Sequence, residues 1–400
     1  MSKVLPILGL PVLLAAVGYQ FLTGPGHFVH DTLGVGRVVE SVNNQRCHQI
    51  PELQACEDMW LHQETGLLYM TCGEPLKRQK WLPAVGHLDH LNKPDDEYLA
   101  ILDTRASGPV ASRITRVKPR GFKGTFNLHG FDIWETPSAS SEVKSTFNIF
   151  LVNHRAPFDP DTGEPQQADF VGANSTVELF ESAAGEGSMR HVRTYAHKQI
   201  RTPNRPAAAG PDSFVYSNDH TRKTGLSREF DLLIPSDISY CDPTECHKLE
   251  RIAMPNGVVR SRTKPNQFFV ASSSDPYVRL YELQADKTTV LLDKIYTGYP
   301  ADNLSTDAEG NVYVAVFPKA LPILGKYFKD PLNSVIPSAI LKISPNTDQD
   351  RFYGKKFKVT KLFEDSGEIF TGATVGVVDS QNKKLFIGGV LSPYIVECQL

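Results

Sequence analysis

Short segments in which apolar and polar residues alternate recur along the chain from residue 57 onward. Each apolar run enters a polar turn, and a second run, rich in β-branched and aromatic residues, leaves it. This alternation, bounded by turn residues, predicts β-hairpins. The clearest examples are residues 61–73, 148–154, 266–274, 304–317 and 377–390. Amphipathic helical segments are scarce, and the two candidates, 319–328 and 330–340, each contain proline or glycine. The sequence therefore predicts an all-β fold.

The repetition of hairpins favours a radial β-propeller over a sandwich or a solenoid. Polar turn-like dipeptides recur at residues 57, 129, 218, 256 and 302, at intervals near one or two blades of about 40–50 residues. Six blades fit residues 47–400 at about 59 residues each, with inserts at 155–172 and 202–212. We therefore predict a six-bladed propeller domain over residues 40–400.

The chain begins with an apolar segment. Residues 4–17 carry no charge, follow Lys3 and precede a polar, glycine-rich stretch. About 14 residues suit the core of a secretory signal, whereas a membrane span needs roughly 20. Residues 1–24 are thus a cleaved signal peptide, an uncleaved hydrophobic anchor or a further core element. The first two options predict a protein that is secreted or membrane-associated in the secretory pathway, and an anchor would allow contact with a membrane or lipid surface.

Six cysteines fit the same compartment, because an even number without zinc-binding spacing is typical of disulfides in secreted proteins. Cys241 and Cys246 flank a turn, which favours a local disulfide. Cys47 and Cys398 lie near the two ends of the predicted propeller, and a bond between them would close nearly the whole chain into a ring. A buried free thiol is the alternative for each cysteine. Asn174 begins an Asn-Ser-Thr sequon and is compatible with glycosylation.

The charge balance excludes one class of partner. The chain has 42 Lys and Arg against 45 Asp and Glu, a formal net charge of −3, and no long basic run. A nucleic-acid-binding protein would present clustered basic side chains to the phosphate backbone, so we expect no nucleic-acid partner.

Dipeptides that carry one or two oxygen-bearing side chains stand at the ends of predicted strands. Strand ends of different blades converge on the axis of a propeller. Converging carboxylates repel each other unless a hard divalent cation compensates them, and calcium takes about six to eight oxygen ligands. Each pair alone is also an ordinary turn dipeptide, but together they predict a calcium site. The pairs are Glu57-Asp58, Asn218-Asp219, Asn256-Gly257 and Asp302-Asn303.

Two histidines, His129 and His154, also stand at predicted strand ends. One imidazole beside a metal-bound water could act as general base while the other orients it. A hydrogen-bonded core histidine is the alternative for each. The sequence has no GxSxG motif and no EF-hand pattern, so neither a serine nucleophile nor an EF-hand loop is expected.

Six separated motifs resemble those of the paraoxonase and arylesterase family of six-bladed propellers, in the family's order. The resemblance covers roughly residues 40–400, with extra sequence around 155–172 and 200–212, which is typical of a remote member. The motifs are VNHR at 152–155, STVELF at 175–180, VYSNDH at 215–220, PNGVV at 255–259, YPADNLSTDAEGNVYV at 299–314 and GGVLSPYIVECQL at 388–400.

The resemblance implies a central tunnel that holds two calcium ions. The positions that match ligands of the family's catalytic calcium are Glu57, Asn218, Asn256, Asp302 and Asn303. Those that match the deeper, structural calcium are Asp58, Asp219 and the backbone carbonyl of Phe131. His129 and His154 match a histidine dyad in which the first activates water and the second assists. Cys47 and Cys398 match the family's blade-closing disulfide. Cys56 and Cys72 are additional, and we expect them to pair because they flank a predicted hairpin.

The activity that the resemblance implies is calcium-dependent hydrolysis of lactones and aryl esters, with a carbonyl polarised by the metal and a water activated by histidine. One departure concerns the pocket wall, because Phe317-Pro318 stands where the family often has a histidine followed by proline. The family's covering helices and loops are not recognisable either. The alternatives are a non-catalytic or strictosidine-synthase-like binding propeller with a structural calcium, a phosphotriesterase and a gluconolactonase-type sugar lactonase.

Overall fold

A computed structural model of the chain describes residues 28–138, 144–159, 161–225, 228 and 234–400. The apolar segment at residues 1–24, and with it the signal-or-anchor prediction, lies outside this part. Within the described ranges no helix is long and apolar enough to cross a membrane.

Six antiparallel sheets surround a central axis, which confirms the predicted six-bladed β-propeller. Blade 1 consists of Asp58–His62, Leu67–Cys72, Tyr98–Asp103 and Ile114–Arg116. Blade 2 consists of Leu128–Thr136, Thr146–Arg155, Asn174–Ala183 and Ser188–Tyr195, with Lys118–Arg120 added in parallel at its outer edge. Blade 3 consists of Pro203–Ala208, Phe214–Asn218, Ser236–Cys241 and Cys246–Ile252.

The second half of the ring follows the same order. Blade 4 consists of Pro255–Arg260, Gln267–Ser272, Tyr277–Leu283 and Thr289–Tyr296. Blade 5 consists of Ala301–Thr306, Val312–Val316, Ser338–Pro345 and Phe357–Asp365. Blade 6 consists of Val375–Asp379, Lys384–Gly388 and Ile395–Gln399, and its outermost strand is Cys47–Ile50 from the start of the propeller. The first strand given for each blade is the innermost and contacts the innermost strands of the neighbouring blades.

The ring closes through blade 6. Cys47 stands opposite Cys398 in the strand register, and the two form a disulfide. Cys56–Cys72 and Cys241–Cys246 are the other two disulfides, so all three expected pairs are present.

The apolar core lies between the blades. A cluster of buried apolar side chains fills the interface between each pair of neighbouring blades, including the first and the last. A central strand therefore packs on both faces, and all five residues of Val312–Val316 are buried. Burial on both faces explains why such strands are apolar throughout, and why alternation is clearest toward the outer edges.

Blades 2 to 5 each carry a β-bulge near the start of the innermost strand. The extra residue falls within the pairs 129–130, 204–205, 256–257 and 302–303. A bulge bends the strand and redirects a side chain, here at one end of the central axis. Two of the pairs need glycine, because a Cβ on Gly130 would lie 2.6 Å from the carbonyl oxygen of Asn204, and one on Gly257 would lie 2.5 Å from that of Asp302.

Short helical turns and one small hairpin occupy the connections. The helical turns are Phe28–Thr32, Pro75–Lys80, Pro83–Val85, Val110–Arg113, Ala168–Val171, Ala320–Pro322, Ile323–Tyr327 and Gln349–Tyr353. The hairpin pairs Trp81–Leu82 with His87–Leu88. Of the two helical candidates, the first forms only the turns at Ala320–Pro322 and Ile323–Tyr327. The second has no helix, and the next strand begins at Ser338, directly after Pro337.

Candidate functional site

A cavity of about 140 Å³ opens at the end of the axis where the bulges lie. Its buried end is polar, whereas its wall is mostly apolar. The polar residues are Glu57, His129, Asn204, Asp219, His220, Asn256, Ser273, Asp302 and Thr374, and the apolar ones include Leu82, Val85, Met254, Phe317, Tyr327 and Val390. Four of these polar residues, at positions 129, 204, 256 and 302, come from the bulges of blades 2 to 5.

Two segments cover this cavity, namely residues 81–88 and 317–328, and we call them the cover. The indole Nε1 of Trp81 donates to the carbonyl oxygen of His154 at 2.6 Å, which holds the first segment over blade 2. Gln79, two residues before the first segment, links the two: its side-chain amide donates to the carbonyl oxygen of Phe328 at 2.9 Å, and its own carbonyl oxygen lies 2.7 Å from Nδ1 of His87. Phe317 lines the cavity, as its place in the sequence predicts.

Two buried carboxylates lie at the polar end. Burial raises the pKa of Glu57 to about 8, and the neighbouring Asp58 carboxylate adds to the rise. Burial also raises the pKa of Asp302 well above its ordinary value, and the Glu57 carboxylate contributes again. Buried carboxylates whose pKa values are raised by burial and by neighbouring carboxylates are a costly arrangement, and a cation beside them would relieve it.

Several buried oxygen atoms around these carboxylates have no hydrogen-bond partner among the described residues. They are Oε2 of Glu57 and Oδ1 of Asn204, Asn256 and Asn303. The amide nitrogens on the same side chains are engaged: that of Asn303 donates to Oε1 of Glu57 at 3.0 Å, and that of Asn256 donates to Oγ of Ser273 at 2.9 Å. We call Glu57, Asn204, Asn256, Asp302 and Asn303 the donor site. Unpartnered buried oxygens are rare in proteins, and a bound cation or water would satisfy them.

Asn218, which the resemblance places among the ligands of the catalytic calcium, is engaged elsewhere. Its amide oxygen accepts hydrogen bonds from the backbone N–H groups of Arg201 and Thr202, both at 3.0 Å, and its amide nitrogen donates to Asp237. It does not line the cavity. Asn204, which the sequence analysis missed, lies there instead. The signal was available, because Pro203-Asn204 repeats Pro255-Asn256 one blade earlier.

Asp58 lies deeper than the cavity and is fully buried. Its Oδ2 accepts hydrogen bonds from Nε of Arg205 at 2.6 Å and from the backbone N–H of Phe131 at 2.9 Å. Burial raises the pKa of Asp58, and the Arg205 guanidinium opposes the rise. The expected third member of this set, Asp219, has a different partner, because its Oδ1 lies 2.8 Å from Nδ1 of His220.

The two predicted histidines come together. The ring centroids of His129 and His154 are 5.3 Å apart. Nε2 of His129 lies 3.2 Å from the amide nitrogen of Asn204 and 3.7 Å from Oε1 of Glu57. Burial lowers the pKa of His129 to about 3 and that of His154 to about 4, so both imidazoles are neutral at pH 7.

One nitrogen of each ring has no hydrogen-bond partner in the part of the chain that the structure describes. These atoms, Nδ1 of His129 and Nε2 of His154, are both buried. Nδ1 of His154 lies 2.9 Å from Oγ of Ser175, a second residue that the sequence analysis missed. Ser175 belongs to the predicted sequon, whose Asn174 is half-buried at the first residue of a blade 2 strand. Its glycosylation stays a prediction.

The fold and this cavity define a six-bladed propeller with an oxygen-rich polar site on its axis. The sequence profile of the Arylesterase family matches residues 168–400, more than half of the chain, and the chain belongs to this family. Serum paraoxonase/arylesterase 2 of Gallus gallus is 27% identical over 305 residues, 75% of each chain. Serum paraoxonase/lactonase 3 of Homo sapiens is 23% identical over 396 residues, 98% of each chain. Serum paraoxonase/arylesterase 1 of Homo sapiens is 25% identical over 297 residues, 73% of this chain and 74% of the relative.

Proposed function

We propose that this protein is a calcium-dependent hydrolase of lactones and aryl esters. The observation that carries the proposal is the donor site, where two buried carboxylates with raised pKa values lie beside three amide side chains, and Glu57 and the three amides leave oxygen atoms without partners among the described residues. Its membership of the arylesterase family supports the same activity. The relatives' names, which mention arylesterase, paraoxonase and lactonase, agree in substrate class.

The chemistry of the donor site fits calcium better than zinc. Among the described residues no group of three or more His, Cys, Asp and Glu side chains could hold a metal ion. The donor site has only two carboxylates, and amide oxygens supply the rest. Calcium accepts such neutral oxygens, whereas zinc prefers nitrogen and sulfur. Glu57, Asn204, Asn256, Asp302 and Asn303 would hold the ion.

Bound there, calcium would supply a Lewis acid that polarises the carbonyl oxygen of an ester or lactone. His129 would accept the proton of the attacking water at Nε2, the nitrogen nearest Glu57, whose lone pair otherwise accepts a hydrogen bond from the amide nitrogen of Asn204. His154 would assist, since Nδ1 of His129 and Nε2 of His154 are both left without a partner among the described residues. Ser175 would hold the His154 ring through Nδ1. A neutral pair of imidazoles is the protonation state that such a transfer needs.

The apolar wall would bind the acyl or leaving group. Phe317, Tyr327 and the aliphatic residues around them offer no charge to a substrate, so an aromatic or alkyl group would be favoured over a sugar. The same wall supports a second candidate function, namely a non-catalytic propeller that binds an apolar ligand above a structural calcium ion.

We also propose that the protein works in an oxidising compartment, outside the cell or in the secretory pathway. The three disulfides among its six cysteines support this location, because disulfides persist where thiols are not kept reduced.

The test is hydrolysis of phenyl acetate and a panel of γ- and δ-lactones with calcium, with chelator and with calcium restored. We expect turnover that chelation abolishes and calcium restores, and the Asp302→Asn variant should stay inactive in all three conditions. Turnover that persists in chelator would contradict the metal dependence. No turnover from folded, calcium-loaded protein would favour the binding propeller.

A further inference from the structure

A buried ion pair lies on the axis beneath the donor site. Glu57 and Asn204 face the cavity, and the residues that follow them, Asp58 and Arg205, meet deeper in the propeller. Asp58 is 0% exposed and Arg205 is 1% exposed. Arg205 also borders a second, smaller cavity of about 20 Å³ that does not include the donor site. We call Asp58 and Arg205 the deep pair.

The Arg205 guanidinium connects the inner strands of several blades. Its Nε donates to Oδ2 of Asp58 in blade 1, and one terminal nitrogen donates to the carbonyl oxygen of Val258 in blade 4 at 2.6 Å. Its charge also acts on the buried carboxylate of Asp132 in blade 2. Arg205 itself belongs to blade 3. A single buried positive charge therefore faces carboxylates and a carbonyl from three other blades, which is the role of a central cation.

The Asp58 carboxylate has both of its oxygens engaged. Oδ1 accepts a hydrogen bond from the backbone N–H of Met59 at 2.9 Å, and Oδ2 accepts those from Arg205 and Phe131. This differs from the donor site, where the oxygens are unpartnered. Asp219, the other carboxylate expected at the deeper site, pairs with His220.

We infer that the Arg205 guanidinium takes the place of the deeper calcium ion, so that the tunnel binds one calcium rather than two. The number of one bound calcium ion rests on the donor site proposed above. The exclusion of an ion at Asp58 is independent of the donor site. An ion at Asp58 would have to displace a buried guanidinium that also donates to the carbonyl oxygen of Val258.

The first test counts calcium ions by native mass spectrometry and calorimetric titration on protein stripped with chelator. We expect one ion in the wild type, one in Asp58→Asn and none in Asp302→Asn. Two ions in the wild type, with one lost in Asp58→Asn, would overturn the inference. No ion in the wild type would overturn the donor site while agreeing with the exclusion of calcium at Asp58, so the two failures are distinguishable.

The second test removes the charge of the deep pair. In chelator, Arg205→Met should unfold at a lower temperature than the wild type, because it leaves the buried Asp58 carboxylate without a compensating positive charge. The double variant Asp58→Asn/Arg205→Met should recover part of the loss, and calcium should raise the unfolding temperature of Arg205→Met more than that of the wild type. If Arg205→Met does not fold, the double variant is used in its place. Its unfolding temperature is then compared with that of the wild type, in chelator and in calcium. The role of Arg205 would be refuted if calcium raised the unfolding temperature of the wild type and of the variants equally and the wild type bound two ions.

Discussion

At the scale of single residues, two asparagines of blade 3 differ in what binds their amide oxygens. Asn218 ends the second strand, where the backbone N–H groups of Arg201 and Thr202 saturate its oxygen. Asn204 lies in the bulge of the innermost strand, and its oxygen is unpartnered among the described residues. Only an oxygen with free lone pairs can bind calcium without losing existing hydrogen bonds.

This difference predicts opposite effects of two matched substitutions. Asn204→Ala should weaken calcium binding by more than about tenfold, since loss of even an outer-shell partner costs roughly 10–100-fold. Asn218→Ala should keep the calcium affinity and lower the stability instead, because it leaves backbone N–H groups without an acceptor. Calorimetric titration and urea unfolding of both variants measure the two effects. An Asn218→Ala protein that loses calcium would restore the residue to the ligand set.

The histidine pair gives a second prediction at this scale. His129→Gln should lower turnover of phenyl acetate by roughly 10²–10⁴-fold, because a glutamine cannot take a proton from water. Calcium binding should persist, since His129 contributes no oxygen to the donor site. Steady-state kinetics beside calcium titration separate the two properties. Full turnover in His129→Gln would mean that another group takes the proton.

The sequence predicted that carboxylates and amides line the site, but it did not predict which atoms they contact. Glu57, Asn256 and Asp302 were found because carboxylates and amides at strand ends converge in a propeller. Asn204 was missed, because the spacing of turn dipeptides does not reveal which strand of a blade carries the bulge. Arg205 was missed for a different reason. A single arginine in a strand is expected to be exposed, because arginine is rarely buried without a partner. Its partner Asp58 is distant in sequence and comes beside it only in the folded chain.

At the scale of the elements, the four bulges determine which side chains reach the axis. Each bulge adds one residue to an innermost strand. The bulge of blade 2 lies against that of blade 3, and the bulge of blade 4 lies against that of blade 5. The closest approach is at Gly257, whose hydrogen faces the backbone of Asp302 and Asn303. The bulges of neighbouring blades thus position one another as well as the donor site.

This close approach predicts the effect of adding one methyl group. Gly257→Ala would place its Cβ 2.5 Å from the carbonyl oxygen of Asp302, so the blade 5 bulge must shift. We expect a loss of stability of about 1–3 kcal/mol and weaker calcium binding. Gly325→Ala is the control, because a Cβ there meets no atom within 4 Å. Urea unfolding and calcium titration compare the pair, and equal values in both variants would show that the bulges tolerate displacement.

The cover is the element that the sequence could not predict. Residues 81–88 show no clear strand alternation, the helical candidate at 319–328 forms only short turns, and prolines interrupt both segments. Their positions depend on long-range contacts, namely hydrogen bonds such as those of Trp81 and Gln79 and an apolar cluster that both segments share. The blades were predictable because the same pattern repeats in each of them, whereas the cover occurs once.

At the scale of the whole molecule, the ring is closed by the two ends of the propeller domain. Four residues of Cys47–Ile50 pair with the C-terminal strand, and the Cys47–Cys398 disulfide joins them across a sequence separation of 351 residues. An apolar cluster shared by blades 1 and 6 fills the seam. Closure thus combines a strand ladder, a covalent bond and apolar packing.

The length of this loop predicts its effect on stability. Replacing Cys47 and Cys398 together by serine should lower the free energy of unfolding by about 2–5 kcal/mol, because the cross-link restricts almost the whole unfolded chain. Replacing Cys241 and Cys246, which are only five positions apart, should cost less, since a short loop loses little entropy. Urea unfolding under oxidising conditions measures both. A larger loss for the short loop would contradict this account.

The strand exchange in blade 6 also sets an order of events during biosynthesis. The N-terminal strand of the propeller is made first, yet its partner, Ile395–Gln399, is the last strand of the ring to be made. Blade 6 and the contact between the first and last blades therefore cannot form before Ile395–Gln399 has been synthesised. Until that strand has left the ribosome, the nascent protein must keep an open arc of blades with an unpaired strand edge at Cys47–Ile50.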